Sequence, residues 1–197
     1  FNDGFSSSLR ASATYDTRNN RMFPTRGTYN SLSVEAASRF IGSQTQFIRW
    51  RAYTRWYFPL FWQLVLRINV EAGLIYNPDG LVPIYERFFE GGIYSVRGFG
   101  LRSLGPRITS VPRSLDPEQA PIGGGVNIGG NLSLVTNVEI EFPIIPQVNI
   151  RGVVFFDAGN AFNMEDFWCD QTRGSALSTF SDPCLMDSPW MLRTSVG

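Results

Sequence analysis

All seventeen basic residues of this 197-residue chain are arginine; lysine and histidine are absent. Without histidine the chain lacks the usual general base and the commonest metal ligand. Two cysteines, Cys169 and Cys184, cannot complete a structural zinc site by themselves. The chemistry that remains is ion pairing. A guanidinium is a planar fork of donors that grips a carboxylate through two parallel hydrogen bonds and tolerates partial burial. One arginine is singled out by its surroundings. Residues 86–100 read Glu-Arg-Phe-Phe-Glu-Gly-Gly-Ile-Tyr-Ser-Val-Arg-Gly-Phe-Gly. Arg97 thus lies in Val96-Arg97-Gly98-Phe99, with Gly91 and Gly92 upstream and Gly100 downstream. Those glycines permit close backbone approach and φ > 0. An arginine on such a hinge, in a connection too long for a plain link, asks for a buried acidic partner.

The elements that must position it are strands. Aromatic residues reach 14% and there are 19 glycines, a composition favouring strands and turns over helices. No run of eighteen apolar residues exists, so no helix of the sequence is expected to cross a membrane. Transmembrane strands are not excluded, because they alternate and their mean hydropathy stays near neutral. The formal charge is zero, so there is no electrostatic case for nucleic acid as a partner. The exclusive use of arginine fits either genomic codon bias or a need for planar pairing. Cys169 and Cys184 lie in a polar stretch; they read either as one disulfide stapling a loop in an oxidising compartment or as two free thiols. Phe1 opens the chain without a signal-like segment, so the sequence reads as an excised region.

Seven segments alternate with period two. In about 5–16, Leu9, Ala11, Ala13 and Tyr15 oppose Arg10, Ser12, Thr14 and Asp16. In about 28–40, Leu32, Val34, Ala36 and Phe40 oppose Ser31, Ser33, Glu35 and Arg39. In about 46–58, Ile48, Trp50, Ala52, Trp56 and Phe58 share a face with Thr54 as its one polar member. Arg49, Arg51 and Arg55 occupy the other face. Segments 63–76 and 131–142 set leucine, isoleucine and valine against Arg67, Asn69, Glu71, Asn137, Glu139 and Glu141. Segment 148–160 is less regular, since Val153 and Phe155 fall on the parity of Arg151 and Asp157. A seventh segment starts near Trp190. Twelve residues at ~3.3 Å cover roughly 40 Å, and tilted by about 40° they span about 30 Å, the bilayer core. Trp56, Tyr57, Phe58, Phe61 and Trp62 flank one turn, as residues of an interfacial girdle do; a soluble core edge is the other reading.

The connections at 17–27, 59–62 and 143–147 are short and are expected to face the periplasm. Residues 77–130 and 161–189 form long connections expected outside. If one face meets lipid, the other lines a lumen. Arg49, Arg51, Arg55, Arg67, Glu71, Glu139, Glu141, Arg151 and Asp157 would line it. Both signs together suggest a hydrogen-bonded interior rather than a one-sign ion filter. A loop dipping into that lumen would bring Arg97 to the wall, where Glu139 and Asp157 have the right parity on neighbouring strands. On composition alone, an exposed arginine in a flexible loop weighs more.

The order of motifs tips that balance. Tyr15-Asp16-Thr17-Arg18 is followed by Phe23-Pro24-Thr25-Arg26-Gly27. Glu86 to Gly92 lead into Ser95-Val96-Arg97-Gly98-Phe99. Gly129-Gly130-Asn131 opens a segment ending Glu139-Ile140-Glu141-Phe142-Pro143. Phe155-Phe156-Asp157-Ala158-Gly159-Asn160 and Arg193-Thr194-Ser195-Val196-Gly197 close the series. In this order, over nearly the whole chain, the motifs closely resemble those of BamA-type outer-membrane assembly factors.

The resemblance implies an all-β fold: a transmembrane antiparallel β-barrel fragment of about seven strands out of sixteen, roughly the eighth to fourteenth. Residues 1–197 would then be one partial barrel domain, with the POTRA domains and the first and last strands outside the chain. It implies that Val96, Arg97, Gly98 and Phe99 fold into the lumen, that Gly91 and Gly92 shape the loop, and that Glu139 and Asp157 brace Arg97. Relatives of this kind fold and insert other outer-membrane barrels. They are thought to open between first and last strands and offer clients an unpaired edge. Unfolded barrel clients, outer-membrane lipids and accessory lipoproteins would be its partners, in the outer membrane of a Gram-negative bacterium. No cofactor, metal or catalytic residue is implied. Some relatives carry a cysteine pair in the signature loop, whereas here it falls in the later one.

A translocation-assembly or two-partner secretion transporter shares the Arg-Gly-Phe/Tyr loop, and a passive porin with a constriction loop is a further alternative. A hydrolase is disfavoured because no Ser-His pair can be built without histidine. Gly123-Gly124-Gly125 is followed by no Gly-Lys-Ser/Thr, so it is no phosphate loop.

Overall fold

Period-two alternation is realised as long strands. The computed structural model describes residues 5–108, 126–148, 150–164 and 193–197. In chain order the strands are β1 (Ser8–Asp16), β2 (Gly27–Ala37), β3 (Phe47–Pro59), β4 (Val65–Tyr76), β5 (Arg107–Ile108), β6 (Val126–Asn127), β7 (Leu132–Ile145), β8 (Ile150–Phe162) and β9 (Arg193–Val196). Seven of them form one sheet in the order β1-β2-β3-β4-β7-β8-β9, with every neighbouring pair antiparallel. β5 and β6 pair separately inside the connection from β4 to β7. Antiparallel order puts the connections after β1, β3 and β7 at one end of the sheet and those after β2, β4 and β8 at the other.

Register carries the sequence pattern across the whole sheet. Arg55, Asn69, Asn137 and Asp157 stand in one row, and Tyr57, Arg67, Glu139 and Phe155 in the next. These rows share one face, the lumen side. On the other face Leu9, Leu32, Trp56, Phe58, Leu74, Ile140, Val154 and Phe156 are exposed. Of the aromatic group beside the β3–β4 turn, Trp56, Phe58, Phe61 and Trp62 are exposed. Tyr57 points the other way, is buried, and lies under the Arg67 guanidinium.

Some boundaries differ from the pattern. Arg39 and Phe40 leave the sheet in a short 3-10 turn (Arg39–Ile41), capped by the Ser38 side chain and ended by Gly42 at φ 83°. β7 runs on through Pro143 to Ile145, with a register shift at that point. A proline without an N–H is tolerated at such an irregularity.

Two clusters of buried apolar residues lie between wall and loop. Val96, Leu104 and Val135 form one cluster, with Phe99 packed against it. Ala37, Phe47, Ile75, Val82 and Phe88 form another. The loop from β4 to β7 therefore completes the core of this sheet.

Candidate functional site: the Arg97 clamp

The loop enters the lumen side through backbone pairing. Phe88 bridges Gly130 and Glu90 bridges Leu104, which brings residues 88–104 back against the start of β7. Phe88 seats its ring on Gly73, where an added Cβ would lie 2.5 Å from Cζ. Only a residue without a side chain leaves room there. Ser133 Oγ donates to Glu90 Oε1 at 2.6 Å. Burial pushes the Glu90 carboxyl above the ordinary carboxylate range, and the Ser133 hydrogen bond partly opposes that.

Residues 91–96 form a tight turn. Gly91 and Gly92 both have positive φ, 103° and 102°. A Cβ on Gly91 would sit 2.6 Å from the Gly100 carbonyl oxygen. Gly91 N–H donates to Ser95 Oγ and Gly92 N–H to the Val96 carbonyl. Asn137 Nδ2 then donates to the Ser95 carbonyl oxygen at 2.7 Å. Val96 follows, wholly buried against Val135, and Gly159 leaves space for it: a Cβ there would lie 2.8 Å from Val96 Cγ2.

Arg97 is held on several sides. Its Nε and Nη2 donate to Asp157 Oδ2 and Oδ1, each at 2.7 Å, and its backbone N–H adds a third bond to Oδ2 at 3.0 Å. Nη2 also lies 2.7 Å from Glu139 Oε1. The guanidinium stacks over the Phe155 ring, 3.7 Å from its centroid. Asp157 has no exposed surface. Gly98 turns the chain away at φ 84°, with the Ser195 side chain 3.3 Å from where a Cβ would stand. The hydrogen bonds to Asp157 raise the Arg97 pKa further above its already high value. The wall is tied together around this clamp. Arg67 reaches Glu139 and Glu141, and Arg151 reaches Glu141.

Val96, Arg97, Gly98, Phe99, Gly91, Gly92, Glu139 and Asp157 are therefore brought to one place. Cys169 and Cys184 lie outside the described residues. Three contributors were not among the residues singled out from sequence: Asn137, Ser133 and Phe155. Phe155 did leave a signal. It is one of the two apolar residues that broke the polar parity of the sixth segment, and its place on the lumen side is explained by the cation it carries.

A long-stranded antiparallel sheet with an arginine loop clamped to one face is the mark of a barrel segment with an occupied lumen. The Omp85 superfamily domain matches residues 2–196, and the chain belongs to that superfamily. It is 31% identical over 176 residues to the outer membrane protein assembly factor BamA of Nitratidesulfovibrio vulgaris, covering 88% of this chain and 21% of that protein. To the BamA of Neisseria meningitidis it is 28% identical over 160 residues, covering 79% and 18%. The sorting and assembly machinery component 50 homolog of Xenopus tropicalis is 33% identical over 165 residues, covering 80% and 32%. Among solved structures, the BamA of Haemophilus ducreyi lacking POTRA domains 1–3 aligns with a TM-score of 0.76 at 24% identity, over 96% of this chain and 35% of that one. That likeness confirms the fold, an antiparallel transmembrane barrel segment. The chain spans about a fifth of the length of its BamA relatives.

Proposed function

We propose that this chain is part of the barrel domain of a non-enzymatic outer-membrane assembly factor, which folds and inserts client β-barrel proteins in a Gram-negative bacterium. The observation that carries this reading is the Arg97 clamp on a chain whose relatives are named as assembly factors. In this reading the connections after β2, β4 and β8 face outward, and those after β1, β3 and β7 face the periplasm. Residues 88–99 brace the lumen side of the wall so that its curvature is kept while the barrel opens elsewhere. In this reading the opening strands and the POTRA domains lie outside residues 1–197, and accessory lipoproteins would be partners of the whole protein. Clients would add strands to an exposed edge through ordinary main-chain pairing.

The test uses the full-length protein in liposomes, with an unfolded outer-membrane barrel added and its folding rate followed. Acceleration by the wild type, lost in Arg97→Ala, is the expected result. No acceleration, with steady ion conductance instead, would overturn the reading in favour of a transporter or pore.

A further inference from the structure

A second ion cluster grips the same loop on the same face of the sheet, but at β1–β3 rather than at β7 and β8. Arg49 on β3 is 8% exposed. Its Nη2 donates to the Glu86 carbonyl oxygen at 2.8 Å and pairs with the Glu86 carboxylate. Its Nη1 donates to Glu35 Oε2 on β2 at 3.1 Å. Glu35 in turn accepts from Ser8 Oγ at 2.7 Å and Arg10 Nη2 at 2.6 Å, both on β1. A chain of charge-assisted bonds thus runs from β1 through β2 and β3 into the base of the loop.

The polarity is the reverse of the Arg97 clamp. There the loop supplies the cation and β7 and β8 supply the carboxylates; here the loop supplies the carboxylate and β3 supplies the cation. In the sheet β3 and β8 are separated by β4 and β7. The segment between Glu86 and Arg97 therefore spans the wall as a strut pinned at both ends. A nearly buried arginine is stabilised only if its carboxylates stay in place, so either pin resists displacement of the loop.

We propose that Arg49 and Glu86 form a second, charge-reversed clamp that positions the Arg97 loop and couples it through Glu35 to β1. This rests on the assembly reading above. Arg49 is a positioning residue, acting on clients only through the loop.

The experiment measures backbone hydrogen exchange over residues 84–99 in the full-length protein in lipid vesicles, beside the client-folding assay. The variants are Arg49→Met, Glu86→Gln and the swap Arg49→Glu with Glu86→Arg. Glu86→Gln changes only a loop side chain, so barrel folding is not at risk. Either single change is expected to speed exchange over 84–92 by about tenfold and to slow client folding. The swap is made together with Glu35→Gln, because Arg49→Glu alone would set two carboxylates directly opposite each other on β2 and β3; with that change it is expected to restore both. Unchanged exchange in Glu86→Gln, or a swap no better than its parents, would overturn the clamp. Faster exchange with client folding intact, while Arg97→Ala abolishes it, would overturn the positioning role and leave the assembly reading standing. If Arg97→Ala is also without effect on clients, the assembly reading falls, and the exchange and swap results alone decide the clamp.

Discussion

The hydrogen bonds of the turn between β1 and β2 come from its neighbours in sequence, with Phe23 under the Arg151 guanidinium as a distant contact, whereas the loop between β4 and β7 is held by residues far along the chain. In the turn, Asn19 Oδ1 accepts from the N–H groups of Thr25 and Arg26, and Asn20 Oδ1 from those of Met22 and Phe23. Arg18 forks onto Asp16 two positions away, at 2.9 and 2.8 Å. In the loop, by contrast, Arg97 meets a residue 60 positions on, Glu90 one 43 on, and Ser95 one 42 on. Asn and Asp side chains that bond their own backbone make a turn self-sufficient. A glycine-rich loop with few such bonds takes its shape from the wall it meets. The turn should survive damage to the wall, and the loop should not.

The largest effect expected from breaking this contrast is that of Arg97→Ala. It leaves Asp157 wholly buried without its cation, a loss of about 3–5 kcal/mol in loop docking. Hydrogen exchange should rise over 88–99 and stay unchanged over 17–26. Next come charge reversals on the wall. Glu139→Arg removes a direct partner of Arg97, whereas Glu141→Arg removes partners of Arg151 and Arg67. Client folding should therefore suffer more in Glu139→Arg; equal effects would break the assignment. Gly73→Val should expel the Phe88 ring at a cost of about 1–3 kcal/mol, loosening the loop entry as read by protease sensitivity near residue 88.

Smaller effects sharpen the comparison from the other side. Asn19→Ala removes two backbone bonds and should cost about 1–2 kcal/mol, confined to the turn and leaving loop exchange untouched. The gentlest test is pH. Glu90 has a raised pKa in the docked loop, because burial disfavours its charge. The docked state then holds the proton more tightly than the released one. Docking is favoured below the ordinary carboxylate range and weakens as pH rises through the raised pKa. Glu90→Gln should flatten that dependence and change docking by less than about 1 kcal/mol at neutral pH, measured by loop exchange across the pH range.

Much of the fold was legible because alternation is a local property. Leu32, Val34 and Ala36 against Ser33 and Glu35 dictate a strand and its two faces without reference to any partner. At two places where the pattern failed, a tertiary feature intervened. Phe155 sits on the lumen face because Arg97 stacks on it, and β7 passes Pro143 because a register shift accommodates it.

The sequence by itself determined the strands and their faces, since these follow from residue type and spacing, while the order of motifs along the chain, rather than composition, pointed to Arg97 as an arginine that needed a carboxylate. Parity and motif order already pointed to Glu139 and Asp157 as its partners; only the tertiary structure decided that Asn137, Ser133 and Gly73 receive the loop and that Arg49 grips its base. Those choices depend on register between strands distant in sequence, and register is set by the pairing of whole strands rather than by any one of them.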